Sequence, residues 1–385
     1  MKKLNVLVPS VLALFVASAA HATATFDTPQ GKLSIGGDVE YNVDAHHTDG
    51  GGTNQNHYAS NSGRIDITIA GERALANGNF AGVTVQPQVR QGNGNTTSDD
   101  AFFTFGVKND WAYKIGHFEA YDLTPAGQDT WAGGYEMYKA SEARGRSDGG
   151  MLINKIVGPM YYELGAMIGD YTSGDTTGSN TQPNTAFATR TGTDSDGNAV
   201  YTNEYLYEGS TVVAHKAKDV VVLRPVVAYT GDVVSAALGG EFNVVTDAYQ
   251  DAKGNDLSKR NGVGGNVTFK VNSDLSIVTR AAYLDAVANN QYSLGAGAQY
   301  QNFWLGYLYG NEKVKSDTDL GIAADMKADA HEVYASYKIP SVMGLDNFDM
   351  YLGAYWTQQL AKDDASSKLA KPTDYGSRVR FKYFF

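Results

Sequence analysis

The chain has no cysteine, only nine prolines and seven histidines among 385 residues, and no long apolar run after its first 22 positions. Without cysteine there is no disulfide framework, and the histidines have no thiolates beside them to build a metal centre. Without a stretch of ~18 apolar residues past the N-terminus, no later segment is expected to cross a bilayer as a helix. Basic residues are outnumbered, 31 Lys and Arg against 42 Asp and Glu for a formal charge of −11, which argues against a nucleic-acid partner. No G-x-S-x-G elbow, H-E-x-x-H pair or phosphate loop occurs, so no catalytic residue, cofactor or metal is expected. His46, His47 and His57 cluster in a Gly-rich stretch that reads as a solvated loop. No Pro-rich or Ser-rich linker divides the chain, and it reads as a single domain.

What is present begins with an export pattern. Met1-Lys2-Lys3 is a basic start, Leu4 to Ala17 is apolar, and Ala20-His21-Ala22 has the small-x-small form of a cleavage site. Residues 1–22 are therefore expected to be a signal peptide and 23–385 the mature domain, with the loss of Lys2 and Lys3 taking the formal charge from −11 to −13. An exported chain without helical spans leaves a soluble protein or a membrane barrel.

The remainder is rich in Gly (43), Tyr (25) and Phe (15), and much of it alternates. A strand sends successive side chains to opposite faces. In 32–43, Leu33, Ile35, Val39, Tyr41 and Val43 oppose Lys32, Ser34, Asp38, Glu40 and Asn42. In 64–72, Ile65, Ile67 and Ile69 oppose Arg64, Asp66, Thr68 and Glu72. Segments 82–90, 100–107, 111–118, 149–157, 160–170, 219–229, 232–244, 262–271, 274–284, 291–300, 302–311, 329–339, 347–358 and 374–385 complete about sixteen candidate strands, with eighteen also compatible. Tight junctions such as Lys108-Asn109-Asp110, Val157-Gly158-Pro159 and Asn272-Ser273-Asp274 carry turn residues. They alternate with long polar connections near 44–63, 91–99, 119–148, 171–218, 245–261, 285–290, 312–328 and 359–373. The fold class is thus all-β, a transmembrane antiparallel barrel with short turns at one rim and long loops at the other. A barrel this wide cannot fill its interior with side chains, so its polar face lines water. Asp194-Ser195-Asp196-Gly197-Asn198 in the longest loop reads as a hairpin tip rather than a calcium loop.

The third long connection, 119–148, is less polar than the others and is expected to fold into the pore as its constriction. Its candidate lining residues are Glu119, Tyr121, Asp122, Asp129, Trp131, Tyr135, Glu136 and Tyr138. Opposing cations on strand faces assigned to the lumen are Arg64, Arg90, Lys114, Arg224, Arg280, Arg378 and Arg380. Carboxylates on one side and guanidiniums on the other would set up a transverse field favouring small polar solutes. Phe118, Trp304, Tyr334, Tyr351 and Tyr355 also fall on lumen faces, where aromatic rings can stack on sugars. A register slip of one residue would turn them to lipid instead.

The final strand, Tyr375 to Phe385, sets Tyr375, Val379, Phe381, Tyr383 and Phe385 on one face and Arg378, Arg380 and Lys382 on the other. With the leader, the opening Gly31-Lys-Leu-Ser-Ile-Gly-Gly-Asp-Val-Glu40 and the run Gly116-His-Phe-Glu-Ala-Tyr-Asp-Leu-Thr-Pro-Ala-Gly-Gln-Asp129, it resembles the glycoporin family typified by the raffinose porin. The resemblance implies a homotrimeric outer-membrane channel for oligosaccharides and small hydrophilic solutes. Its partners would be outer-membrane lipids and, during biogenesis, the barrel-assembly machinery that reads the terminal aromatic strand. A general diffusion porin is the nearest alternative, and a barrel adhesin or hydrolase a distant one.

Overall fold

The computed structural model describes residues 23–49, 55–91, 96–123, 150–169, 189–193, 199–204, 211–250, 254, 256, 258–286, 289–314, 326–363 and 373–385. In chain order the strands are β1 (Ala24–Thr28), β2 (Gly31–Asp49), β3 (Gln55–Ala74), β4 (Asn79–Arg90), β5 (Thr96–Val107), β6 (Trp111–His117), β7 (Gly150–Val157) and β8 (Met160–Gly169). Then come β9 (Thr189–Thr193), β10 (Ala199–Glu204), β11 (Thr211–Lys216), β12 (Val220–Thr230), β13 (Val234–Asn243), β14 (Tyr249–Gln250) and β15 (Arg260–Lys270). The last six are β16 (Leu275–Ala286), β17 (Asn289–Tyr300), β18 (Phe303–Val314), β19 (Met326–Ile339), β20 (Phe348–Asp363) and β21 (Thr373–Phe384).

Sixteen of them close an antiparallel barrel: β2 to β8, β12, β13, β15 to β21, and back to β2. Closure is the only way an open sheet can satisfy every backbone N–H and C=O inside lipid. The apolar face of each strand points out. Val39, Ile65, Phe103, Leu164, Leu238, Leu305 and Leu352 are exposed, while their polar neighbours Glu40, Asp66, Glu163, Glu241 and Glu332 are buried. The tight turns use left-handed backbone where the sequence places Asn or Gly, at Asn109 (φ 59°) and Gly158 (φ 58°). Pro87 falls at the one register shift between β4 and β5, where a missing N–H does least damage.

β1 continues the line of β21. Along β2, Asp49 to Asp38 pair with Thr373 to Phe384, and Ile35 to Gly31 pair with Ala24 to Thr28. Phe385 exchanges backbone hydrogen bonds with Gly37 at 2.9 and 3.0 Å. A Cβ on Gly36 would lie 2.9 Å from the Thr23 hydroxyl and 3.1 Å from the Phe385 carbonyl. The two chain segments thus meet end to end in one strand position.

Three expectations about connections need correction. Segment 44–63 is largely a projecting hairpin, since β2 and β3 run 19 and 20 residues where ~10 suffice to cross the membrane. Its polar alternation, Asp44, His46 and Thr48, is strand pairing with β21 rather than loop. Segments 171–218 and 245–261 contain a separate four-stranded sheet, β9, β10, β11 and β14. β1 was not expected at all. Residues 1–22 and 194–198 lie outside the described residues.

Candidate functional site: the lumen wall

The lumen face of β21, β2, β3 and β4 is a ladder of alternating charge. Arg378 grips Asp44 with Nε at 2.6 Å and Nη2 at 3.1 Å. One step along, Arg380 reaches Glu40 at 3.1 Å and donates from Nε to Asn42 at 2.8 Å. Asn42 in turn donates to Glu40 (2.9 Å) and Ser62 (3.1 Å). Lys382 lies 3.7 Å from Asp38, and Arg64 sits 3.8 Å from Asp38 and 3.9 Å from Glu40. On β4, Arg90 donates to Gln88 (2.9 Å), which donates to Asp66 (3.3 Å). Period two on neighbouring strands places these groups on one face, and antiparallel register brings Arg380 opposite Asn42 and Arg378 opposite Asp44.

The carboxylates that partner these cations therefore come from the first barrel strand. The polar face of β2 is visible in the sequence, but its role follows only once β21 is known to close on it. Asp38, Glu40 and Asp44 are site residues that the sequence reading passed over.

The other candidate cations have different settings. Arg224 on β12 and Arg260 on β15 both bind Glu241 on β13, at 3.0 and 2.5 Å, and Arg224 is 1% exposed. This is an internal brace rather than an open wall. Arg280 lies along Gly295, where a Cβ would come within 2.7 Å of its Cγ. Lys114 holds its ammonium 4.2 Å from the Phe102 ring and 5.1 Å from Phe118, a cation–π arrangement that occupies both rings.

Three of the aromatic candidates lie against glycines of a neighbouring strand. A Cβ on Gly297 would be 2.4 Å from the Trp304 ring, on Gly306 2.4 Å from Tyr334, and on Gly376 2.8 Å from Tyr355. Ring over glycine recovers area that a bare strand backbone would leave unpacked. Phe118, Trp304, Tyr334, Tyr351 and Tyr355 are all buried, between 1 and 5% exposed. Tyr355 also donates to Asp374 (2.9 Å) and contacts His46 Nδ1 (2.7 Å), while Lys338 sits 5.6 Å over the Tyr351 ring. His46 is thus a wall residue of β2 and not part of a solvated loop.

After β6 the chain turns into the barrel. Gly116 takes φ +134° where a Cβ would strike the Ala101 carbonyl at 2.4 Å. Tyr121 stacks on Tyr161 of β8 at 5.2 Å. Leu123 is fully buried among Val226, Ala228, Ala237, Ala282 and Leu284, and its carbonyl accepts from Asn266 of β15 at 3.0 Å. Gly239 leaves the room that Leu123 fills, since a Cβ there would approach Leu123 Cδ1 to 2.7 Å. This explains why the lumen face of β12 is apolar apart from Arg224, with Val222, Val226 and Ala228 within and Val227 and Tyr229 without: that face is covered by chain. Counting around the ring, β13 lies eight strands from β2 in either direction, so Leu123 is held opposite the charge ladder. Glu119 and Asp122 are exposed. Asp129, Trp131, Tyr135, Glu136 and Tyr138 lie outside the described residues.

A family model described as porin-like glycoporin RafY matches residues 35–186 and 179–385. The outer-membrane channel DcaP of Acinetobacter baumannii is similar in structure, with TM-score 0.59, 14% identity, and 94% of this chain and 100% of that one covered. An anion-selective porin from Comamonas acidovorans has TM-score 0.53 and 14% identity over 92% and 99% of the chains. The trimer form of OmpT, an outer-membrane protein of Vibrio cholerae, has TM-score 0.50 and 9% identity over 92% and 100%. No curated protein matches the sequence.

Proposed function

Because the chain belongs to the porin-like glycoporin family of outer-membrane channels, through which solutes diffuse, we propose that it passes oligosaccharides and small hydrophilic solutes between its third loop and the charge ladder. The observation that carries this reading is the inward course of residues 118–123, pinned by Leu123 on the wall opposite Arg64, Arg378 and Arg380. A solute threading that gap meets carboxylates, guanidiniums and amides spaced along β2 and β21. Such groups exchange hydrogen bonds with hydroxyls readily and reject apolar molecules, which cannot replace the lost hydration. Phe118, Trp304, Tyr334, Tyr351 and Tyr355 are proposed as stacking positions that a sugar reaches only when their cover is displaced. Loop residues 119–148 supply the constriction, and the working assembly is a homotrimer delivered by a cleaved leader of residues 1–22. Chain cleaved before Thr23 would begin beside Phe385, where the last strand position is completed.

The test is single-channel recording in planar bilayers with a panel of oligosaccharides on one side. Transient, concentration-dependent block of the current by at least one trisaccharide or longer sugar is the expected result. Open-channel current with no block by any sugar at tens of millimolar would leave a general diffusion porin, and absence of steady conductance would exclude both.

A further inference from the structure

We infer that a one-residue irregularity in β5 makes Asp99 and Asp100 the residues that set the cation preference of the pore. Val85 pairs with Ala101 and Pro87 with Ser98, so two residues of β5 stand opposite the single residue Gln86. That is a β-bulge, which puts two consecutive side chains on one face where a regular strand would divide them. The flanks fix which face it is. Val85 and Pro87 are exposed on the outward face, and Ala101 and Ser98 across from them share it. Beyond them, Phe102 lies 4.2 Å under the Lys114 ammonium and Thr97 stands opposite the buried Gln88, both on the lumen face. The two residues left between Ser98 and Ala101 face the lumen with Gln86, whose amide donates to Thr68 at 2.8 Å.

The charges agree with that placement. Asp99 is close enough to Arg64 and Asp66 to act on both, and Asp100 acts on Lys114. All three of these neighbours are lumen residues. In a regular strand one of the two carboxylates would face lipid, which is costly away from the interface. The bulge keeps both on the wet side of the wall.

Two features make these the carboxylates that a solute meets on this side. Glu40, Asp44 and Asp66 are covered, at 8, 4 and 4% exposed, whereas Asp99 and Asp100 are both partly exposed. Their level is also that of the constriction. Ala101, next to the bulge, pairs with His117, the last residue of β6 before the chain turns inward. Lys114 is acted on by Asp100 from the wall and by Glu119 from that inward segment. A unit charge ~7 Å from a passing ion in water changes its permeability about 2.7-fold, or about 2.2-fold with the Debye length of about 30 Å at ~10 mM salt. Cation and anion shift in opposite senses, so each carboxylate should be worth roughly five-fold in the permeability ratio. The inference needs only an open channel, so it stands or falls independently of which sugars pass.

The experiment uses the full refolded channel in planar bilayers and has two arms. The chain has no cysteine of its own, so D99C and D100C each carry a single thiol. A water-soluble cationic methanethiosulfonate should react with both and change the current stepwise. A current change at only one of the two positions would place the other side chain outside the lumen and overturn the inference. In the second arm, reversal potentials at ~10 mM salt should show the cation-to-anion ratio falling roughly five-fold in D99N and in D100N, and by about the product of the two in D99N/D100N. At ~1 M salt, where the Debye length is about 3 Å, the shifts should vanish. Deleting Asp99 keeps every β4–β5 pair in register and leaves one carboxylate, so it should reproduce the D99N shift. Wild-type reversal potentials in D99N/D100N at ~10 mM would make the pair a mere brace for Arg64 and Lys114 and overturn the inference. A shift of equal size at ~1 M would report altered pore shape rather than charge, and would overturn it too.

Discussion

Replacing Glu40 with glutamine tests whether the ladder sets the field a solute feels. Glu40 is 8% exposed and sits between two guanidiniums, 3.1 Å from Arg380 and 3.9 Å from Arg64. Glutamine keeps the volume and an oxygen for the Asn42 amide, so E40Q removes a charge and little else. The ladder formed by Asp38, Glu40, Asp44, Arg64, Arg378, Arg380 and Lys382 carries one net positive charge, and the variant carries two. For an ion passing ~10 Å away through water, one unit charge is worth about 0.4 kcal/mol, or roughly two-fold. The cation loses that amount and the anion gains it. With the Debye length of about 30 Å at ~10 mM salt trimming each effect to about 0.3 kcal/mol, the ratio of cation to anion permeability should then fall about three-fold. Screening over a Debye length of about 10 Å at ~0.1 M cuts each effect to about 0.15 kcal/mol, leaving a shift of less than two-fold. Reversal potentials across a salt gradient, at two mean ionic strengths, measure both numbers. No shift at low salt, or a shift toward cations, would refute the idea that permeating ions run along this wall.

Three further perturbations probe the rest of the wall. Deleting 121–138 should raise conductance by removing the segment that starts at the Tyr121–Tyr161 stack, and unchanged single-channel current would remove this loop from the constriction. E241Q should cost roughly 3–5 kcal/mol in denaturant unfolding by removing the buried carboxylate that Arg224 and Arg260 share, whereas R224M/E241L/R260M should unfold close to wild type. G306A drives a methyl into the Tyr334 ring, where a Cβ would be 2.4 Å away; a loss of about 1–3 kcal/mol is expected. Y334A in the same chain should relieve that clash, which thermal unfolding in detergent will show.

The barrel was legible because its rules are local. Period two, turn residues such as Asn109 and Gly158, and the alternation of short and long connections are each written within a few residues. The polar projection of β2 and β3 was not, because beyond the membrane the outward face need not be apolar and the alternation loses its contrast. Site residues divided the same way. That Arg378 and Arg380 share a face follows from spacing; that they answer to Asp44 and Glu40, more than 300 positions away, follows only from closure. β12 gave the clearest hint that was missed. Its Val-Val-Val-Leu-Arg-Pro-Val-Val run breaks alternation, and a strand with Arg224 as the one charge on its two faces in a wet-lumened barrel must be covered from inside. Asp129, Trp131, Tyr135, Glu136 and Tyr138 lie outside the described residues.

Thr23 and Phe385 abut within a single strand position beside Gly36 and Gly37. Covalent order is therefore incidental to the folded ring. A permuted chain that lacks residues 1–22, runs from Phe385 through a short linker into Thr23 and opens instead in a long connection is expected to keep every rung of the ladder. Thr23 and Phe385, 362 positions apart in the chain, are for this barrel neighbours in one strand position.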